Sequence, residues 1–139
     1  MSNQLLLDTH IWLWFALGMQ NKLSTDTVAA IDHSASQGQL QLSVMSIWEI
    51  SLLAAKESIH LGQPTTDWVA KALSLKGLQL TQLTPEIAIE SNQLPGNFHP
   101  DPVDRMLVAT ARCMGFTLLT RDKAILKYAG QGYLAAIKS

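Results

Sequence analysis

The chain has 139 residues, 47% of them hydrophobic and 15% charged, a composition that excludes a disordered protein. Its length predicts a single domain over residues 1–139. The longest apolar run, residues 11–17, is far shorter than the roughly 20 residues of a membrane span, so no membrane association is expected. The single cysteine, Cys113, excludes an internal disulfide and fits a reducing compartment, so a cytoplasmic location is expected.

The charges are unevenly distributed along the chain. The net charge is −1, but residues 1–104 carry −6 and residues 105–139 carry +5. A basic C-terminal part beside clustered acids suits a site that holds a metal ion and a polyanion together. An ordinary solvated surface explains the charge distribution equally well on its own.

The first half of the chain alternates between short apolar runs, typical of buried strands, and longer segments with helical patterning. In chain order the predicted elements are a strand over residues 4–8, a helix over 9–17, a helix over 25–36, a strand over 39–44 and a helix over 46–59. Ser24 is the expected N-cap of the second helix. Ser46 and Glu49 have the spacing of a capping box at the start of the third.

The second half continues the alternation. Its predicted elements are a helix over residues 64–75, a strand over 78–83, a helix over 84–93, a helix over 103–114, a strand over 116–119, a helix over 123–128 and a strand over 133–137. Thr65 or Thr66 is the expected cap of the first of these helices, and the proline-rich residues 95–102 form a loop. Strands separated by helices predict an α/β fold with a mainly parallel sheet, whose ligand site lies off the carboxyl ends of the strands.

Four acidic residues lie where the chain is predicted to leave a strand or enter a helix: Asp8, Glu49, Asp104 and Asp122. Asp8 and Asp122 follow strands, so both are expected at the same edge of the sheet. Asp104 shares a helical stripe with Leu107 and Val108 and therefore faces the core.

Each acid also has a purely structural interpretation. Asp8 and Asp122 could be helix N-caps, Glu49 could complete the capping box, and Asp104 could complement a helix dipole. Asp101, between two prolines, reads as a turn residue. Thr120 could offer a hydroxyl ligand or only end its strand.

Carboxylates gathered at one edge repel one another unless they are protonated or bind a cation. Oxygen ligands select Mg²⁺ or Mn²⁺. Zinc is not expected, since the four histidines lack paired spacing, and a lone histidine such as His10 or His99 is taken as structural. An acidic metal site beside basic residues fits hydrolysis of a phosphodiester by a metal-activated water.

Four segments then resemble, in order, the acidic motifs of PIN-domain proteins. They are residues 5–10 (LLLDTH), 46–50 (SIWEI), 101–111 (DPVDRMLVATA) and 118–122 (LLTRD). They match Asp8, Glu49, Asp104 and the pair Thr120 and Asp122. Within that family the chain resembles the VapC-like toxins of bacterial toxin–antitoxin systems.

The resemblance implies a three-layer α/β/α PIN-like fold, Mg²⁺- or Mn²⁺-dependent endoribonuclease activity, a homodimer and inhibition by a cognate antitoxin. The implied metal ligands and catalytic residues are Asp8, Glu49, Asp104 and Asp122, with Asp101 and Thr120 as further candidates. The candidates for contacts with the RNA backbone are Arg105, Arg112, Arg121 and Lys123.

Two other functional classes stay open from the sequence. One is a PIN-like binding module without catalysis. The other is a signalling domain phosphorylated on an aspartate, which is disfavoured because no second acid adjoins Asp8 and no lysine follows a late strand.

Overall fold

The computed structural model describes residues 3–139, with Gln20 described by its backbone alone. Its centre is one five-stranded sheet in the order β3-β2-β1-β4-β5, and every neighbouring pair is parallel. The strands are β1 (Leu5–Leu7), β2 (Leu40–Ser43), β3 (Leu78–Thr81), β4 (Thr117–Thr120) and β5 (Ala135–Lys138). The predicted parallel sheet is therefore confirmed; β4 has the expected length, shifted by one residue, and the other four strands are shorter than expected.

Helices connect the strands, as the alternating pattern predicts. They are α1 (Thr9–Ala16), α2 (Thr25–Ser36), α3 (Val44–Ala55), α4 (Thr65–Leu73), α5 (Pro85–Ser91), α6 (Pro102–Met114) and α7 (Lys123–Gly130), with a short 3-10 helix at Gln20–Lys22. The side chain of Ser24 caps α2 as predicted, accepting a hydrogen bond from the Thr27 N–H at 3.1 Å. None of the helices in the described part of the chain is both long and apolar enough to cross a bilayer.

Two predicted caps are wrong. Helix α3 starts two residues early, at Val44, and Ser43 caps it by accepting a hydrogen bond from the Met45 N–H at 3.0 Å. Ser46 is instead fully buried, with its hydroxyl 2.9 Å from that of Thr9. Helix α4 has Pro64 at its N-cap position and no side-chain cap, so neither predicted threonine serves there.

The two faces of the sheet bury two separate cores, because successive residues of a strand point in opposite directions. Leu7 and Leu119 belong to the core that includes residues of α1 to α4, whereas Leu6 and Leu118 belong to the core that includes residues of α5 to α7. This is the three-layer α/β/α arrangement. Helices α1, α3 and α7 all begin at the carboxyl edge of the sheet, directly after or one or two residues after a strand, and this edge carries the site.

Candidate metal centre

Asp8 occupies the residue between β1 and α1. Its backbone is extended, and its Oδ1 caps the helix by accepting a hydrogen bond from the Thr9 N–H at 2.7 Å. Its Oδ2 accepts a hydrogen bond from the Thr120 hydroxyl at 2.5 Å. Burial raises the pKa of Asp8, with these two hydrogen bonds opposing the shift. The carboxylate is thus held in one orientation from both sides.

Asp122 and Thr120 lie at the corresponding end of β4. Thr120 is fully buried, and its Oγ1 accepts a hydrogen bond from the Asp122 N–H at 3.0 Å. Asp122 caps α7, with its Oδ1 accepting from the Ile125 N–H at 2.9 Å. Thr120 therefore ends β4 and Asp122 caps α7, as their structural interpretations predict. Both residues also lie beside Asp8 at the end of β1.

Asp101 and Asp104 come together at the start of α6. Asp101 is the N-cap of this helix, and its Oδ1 accepts a hydrogen bond from the Asp104 N–H at 3.1 Å. Asp104 lies one turn before Leu107 and Val108, which are fully buried, as its stripe predicts. Burial, together with the nearby charges of Asp8, Asp101, Asp122 and Glu49, raises the pKa of Asp104 to about 8. A carboxyl group in this position needs a proton or a cation at neutral pH.

Glu49 reaches the same region from α3. It lies six residues after the true cap, Ser43, so the capping-box interpretation of this acid is wrong. The pKa of Glu49 is raised by burial and lowered in part by a hydrogen bond from the side chain of Thr9. Thr9, the first residue of α1, is fully buried, and its hydroxyl contacts that of Ser46 on α3.

The acids contributed by these separate elements line a single cleft of about 320 Å³. They are Asp8, Glu49, Asp101, Asp104 and Asp122. His10, Trp14 and Arg121 also line it. The cleft therefore contains five carboxyl groups against one permanently charged cation, Arg121, among its lining residues.

His99, which the sequence interpretation set aside as structural, lies within this group of acids. Its Nε2 is 3.1 Å from Oδ2 of Asp104, and one donor atom each from His99, Asp104 and Asp122 lie within 4.8 Å of one another. The His99 Nε2 atom is buried and has no hydrogen-bond partner among the described residues, so the 3.1 Å contact lacks hydrogen-bond alignment. The available sequence signal was its position two residues before Asp101 in the loop that enters α6.

Two of the predicted RNA contacts lie where they can meet a ligand. The guanidinium of Arg121 lies over the Trp14 ring, 4.9 Å from its centre, at the wall of the cleft, and it also donates a hydrogen bond to the Lys22 carbonyl. Lys123 is exposed at the first position of α7, next to Asp122.

The other two predicted RNA contacts, Arg105 and Arg112, are used inside the protein. Arg105 donates from Nε to the Ser91 carbonyl at 2.8 Å and from Nη1 to the carbonyls of Phe98 and His99 at 3.1 and 3.3 Å. Arg112 pairs with Glu90 at 2.7 Å. Neither arginine lines the cleft, because their helix face packs against α5 and the loop before α6.

The donor set of the cleft fits a divalent cation. Several carboxylate oxygens converge there, and a buried imidazole nitrogen lies beside Asp104. Burial and the neighbouring acids raise the pKa of Asp104, so its ionised form gains from a bound cation. The carboxylate oxygens of this set are typical ligands of Mg²⁺ and Mn²⁺.

Two sequence comparisons identify the family of the chain. Residues 5–131 match the PIN domain. The chain is 32% identical over 120 residues to Ribonuclease VapC22 of Mycobacterium tuberculosis, covering 86% of this chain and 88% of that protein.

Solved structures share the fold at low sequence identity. The VapBC2 structure from Rickettsia felis, bound to a promoter DNA fragment, gives a TM-score of 0.69 at 15% identity and covers 96% of this chain and 97% of that one. A toxin-antitoxin complex from Klebsiella pneumoniae gives 0.63 at 18% identity and covers 96% of each chain. These similarities confirm the predicted α/β/α fold. The match over residues 5–131 and the relative at 32% identity place this chain in the PIN-domain family.

Proposed function

We propose that this chain is a divalent-metal-dependent endoribonuclease and the toxin of a toxin–antitoxin pair. The observation that carries the proposal is the convergence of five carboxyl groups from the starts of α1, α6 and α7 and from α3 into one cleft of a PIN domain. The relative at 32% identity, whose name is that of a ribonuclease, supports RNA as the substrate. The reaction is hydrolysis of a phosphodiester bond of RNA.

In this proposal Asp8, Glu49 and Asp104 hold Mg²⁺ or Mn²⁺, and Asp122 is the fourth carboxylate. A bound divalent cation supplies Lewis acidity, which acidifies water for attack on phosphorus and neutralises charge on the phosphate. The chain's own contribution is orientation. Asp8 is fixed by the Thr9 N–H and the Thr120 hydroxyl, so its oxygens need little reorganisation to bind an ion.

The cleft also determines how RNA is held. Without a cation its carboxylates repel a phosphate, so RNA binding there depends on the ion. Arg121 at the wall of the cleft and the exposed Lys123 are the proposed contacts with the RNA backbone. Phosphate contacts of this kind give affinity without sequence choice.

The proposed protein partners are a cognate antitoxin and a second copy of the chain. The toxin-antitoxin complex with the same fold supports the first. Large exposed apolar side chains, Trp48 on α3 (53% exposed) and Ile89 on α5 (57%), are suitable contacts for either partner. With RNA as substrate, the site of action is the cytoplasm.

The experiment is a cleavage assay on a panel of structured RNAs with Mg²⁺, with Mn²⁺ and with EDTA. Cleavage is expected with either metal and is lost with EDTA, in Asp8→Asn and in Asp104→Asn. Asp32→Asn, an exposed acid on α2, is the matched control and stays active.

Three results contradict the proposal in different ways. Cleavage that survives EDTA and both substitutions overturns the metal site. RNA binding without cleavage under any metal condition favours a binding module. Stable label on Asp8 from a small phosphodonor favours the signalling domain.

A further inference from the structure

We propose that Nε2 of His99 is a direct ligand of the divalent ion, so that the site has mixed nitrogen and oxygen ligands and prefers Mn²⁺ to Mg²⁺. The inference rests on the proposed function, because it concerns the same ion. It adds a ligand that the four acidic motifs do not contain and a preference between the two metals.

The distances suit shared coordination. Adjacent ligands around an octahedral ion with bonds of about 2.1 Å lie roughly 3 Å apart. Nε2 of His99 lies 3.1 Å from Oδ2 of Asp104, and the ligand atom of Asp122 completes a group within 4.8 Å. These three side chains can therefore bind one ion with small adjustments.

The imidazole nitrogen of His99 approaches Asp104 to 3.1 Å without forming a hydrogen bond to any residue that the structure describes. Nε2 is inaccessible to solvent and makes no hydrogen bond with the described residues, although the ring as a whole keeps 31% of its side-chain surface exposed. A buried polar atom without a partner is unfavourable, and such atoms in native proteins often mark a site for an ion. A metal ion shared with Asp104 provides the missing partner.

The loop that carries His99 is held in place. Arg105 donates hydrogen bonds to the carbonyls of Phe98 and His99, and to Ser91 at the end of α5. The Phe98 ring packs 4.4 Å from the His99 ring and 4.9 Å from that of Tyr128. Arg105 is therefore a positioning residue, which presents a ready-made ligand to the ion.

A nitrogen ligand changes the choice of metal. Mg²⁺ strongly prefers oxygen ligands and sheds water reluctantly. Mn²⁺ also suits carboxylates, but it belongs to the first-row divalent metals that bind mixed nitrogen and oxygen sites, as the weakest member of that series. Loss of His99 should therefore weaken Mn²⁺ binding by about tenfold or more and Mg²⁺ binding by much less, judged against the roughly 10- to 100-fold effects of outer-shell partners.

The test uses Mn²⁺ alone as the probe, without RNA. Electron spin echo envelope modulation of the Mn²⁺-loaded wild-type protein is expected to show coupling to a directly bound imidazole nitrogen. The coupling disappears in His99→Ala and persists in His60→Ala, an exposed histidine outside the cleft. Calorimetry on the same proteins measures Mn²⁺ and Mg²⁺ affinities, and circular dichroism checks that the metal-free variants are folded.

The outcomes separate this inference from the proposed function. Wild-type protein that binds Mn²⁺ and cleaves RNA but shows no nitrogen coupling overturns the ligand role of His99 and leaves the nuclease proposal intact. Coupling that persists in folded His99→Ala assigns the nitrogen to another residue. Absence of Mn²⁺ and Mg²⁺ binding to the wild-type protein overturns both proposals. The wild-type spectrum decides the question even if the His99→Ala variant does not fold.

Discussion

The Thr120 hydroxyl donates a 2.5 Å hydrogen bond to Oδ2 of Asp8, linking residues 112 positions apart in the chain. The oxygen of this hydroxyl also accepts a 3.0 Å hydrogen bond from the Asp122 N–H. One buried hydroxyl thus joins the carboxyl ends of β1 and β4 and orients an acid at each of them.

Replacing Thr120 by valine removes both hydrogen bonds at nearly constant volume. We expect the variant to lose roughly 1–3 kcal/mol of stability, because a part-buried N–H and a buried carboxylate oxygen are each left without a partner. We also expect its Mn²⁺ affinity to fall about tenfold. Urea unfolding and calorimetry measure the two effects. Thr120→Ser retains the hydroxyl and should remain close to the wild type, and equal behaviour of the serine and valine variants would contradict the assigned role.

The raised pKa of Asp104 predicts that the stability of the metal-free protein depends on pH. Its pKa is raised to about 8 in the folded state, against about 3.9 in an unfolded chain. Between these values the folded protein holds a proton that the unfolded chain has released, so stability falls as pH rises from about 4 to 8. The burial-raised pKa values of Asp8 and Glu49 act in the same direction.

In EDTA at pH 8, the free energy of unfolding of Asp104→Asn, measured in urea, should therefore exceed that of the wild type by on the order of a few kcal/mol. At pH 4 the two free energies should differ little. Saturating Mn²⁺ should reverse the order, since only the wild type keeps the ligand. Asp32→Asn is the control for removal of an exposed acid. A wild-type stability that stays constant from pH 4 to 8 without metal would contradict the prediction.

Arg105 is expected to act through the loop before α6 and not through RNA. Arg105→Lys keeps the charge but cannot reproduce the three hydrogen bonds to Ser91, Phe98 and His99. We expect a decrease of roughly 2–3 kcal/mol in the free energy of unfolding, measured in urea. Amide hydrogen exchange in residues 95–101 should become faster. Native stability combined with weakened RNA binding would instead support a role for Arg105 in holding phosphate.

Arg121 is the strongest remaining candidate for binding the RNA backbone. In an Asp8→Asn background, which prevents cleavage, Arg121→Ala should weaken RNA binding. It should also reduce the slope of log K against log salt concentration by about 0.7, because one phosphate of a single strand is no longer neutralised. Fluorescence anisotropy between about 50 and 200 mM salt measures this slope. Lys76→Ala, an exposed cation before β3 at the opposite edge of the sheet, should leave the slope unchanged. An equal effect of both substitutions would point to nonspecific attraction.

The order of strands and helices could be predicted because each strand is a short apolar or alternating segment flanked by helix-forming sequence. Asp8 and Asp122 could be predicted because they follow strands, whereas Glu49 and Asp104 were identified from their helical positions and from the resemblance to the PIN motifs. Capping and ligand roles, which the sequence presented as alternatives, are compatible in the structure. Asp8, Asp101 and Asp122 each use Oδ1 for a helix N–H, which leaves lone pairs of the other oxygen for the cleft.

Other features depended on tertiary interactions that no local pattern records. Val44 continues the alternating pattern of β2, so the predicted strand extended past Ser43, and the capping role was predicted for Ser46 instead of Ser43. The approach of His99 to Asp104 depends on the path of a proline-rich loop, which has no periodicity. The inward direction of Arg105 depends on carbonyl groups in that same loop.

The alignment of β1 with β4, in which Leu7 pairs with Leu119, matters for folding fidelity. A slip of one residue would bring Arg121 in place of Thr120 beside Asp8, and it would also turn Leu118 and Leu119 towards the wrong cores. The carboxylates repel one another and cannot select the correct pairing themselves. Leu118 and Leu119 instead select the correct alignment of the two strands. A shifted site would require each of these leucines to enter the core on the opposite face of the sheet.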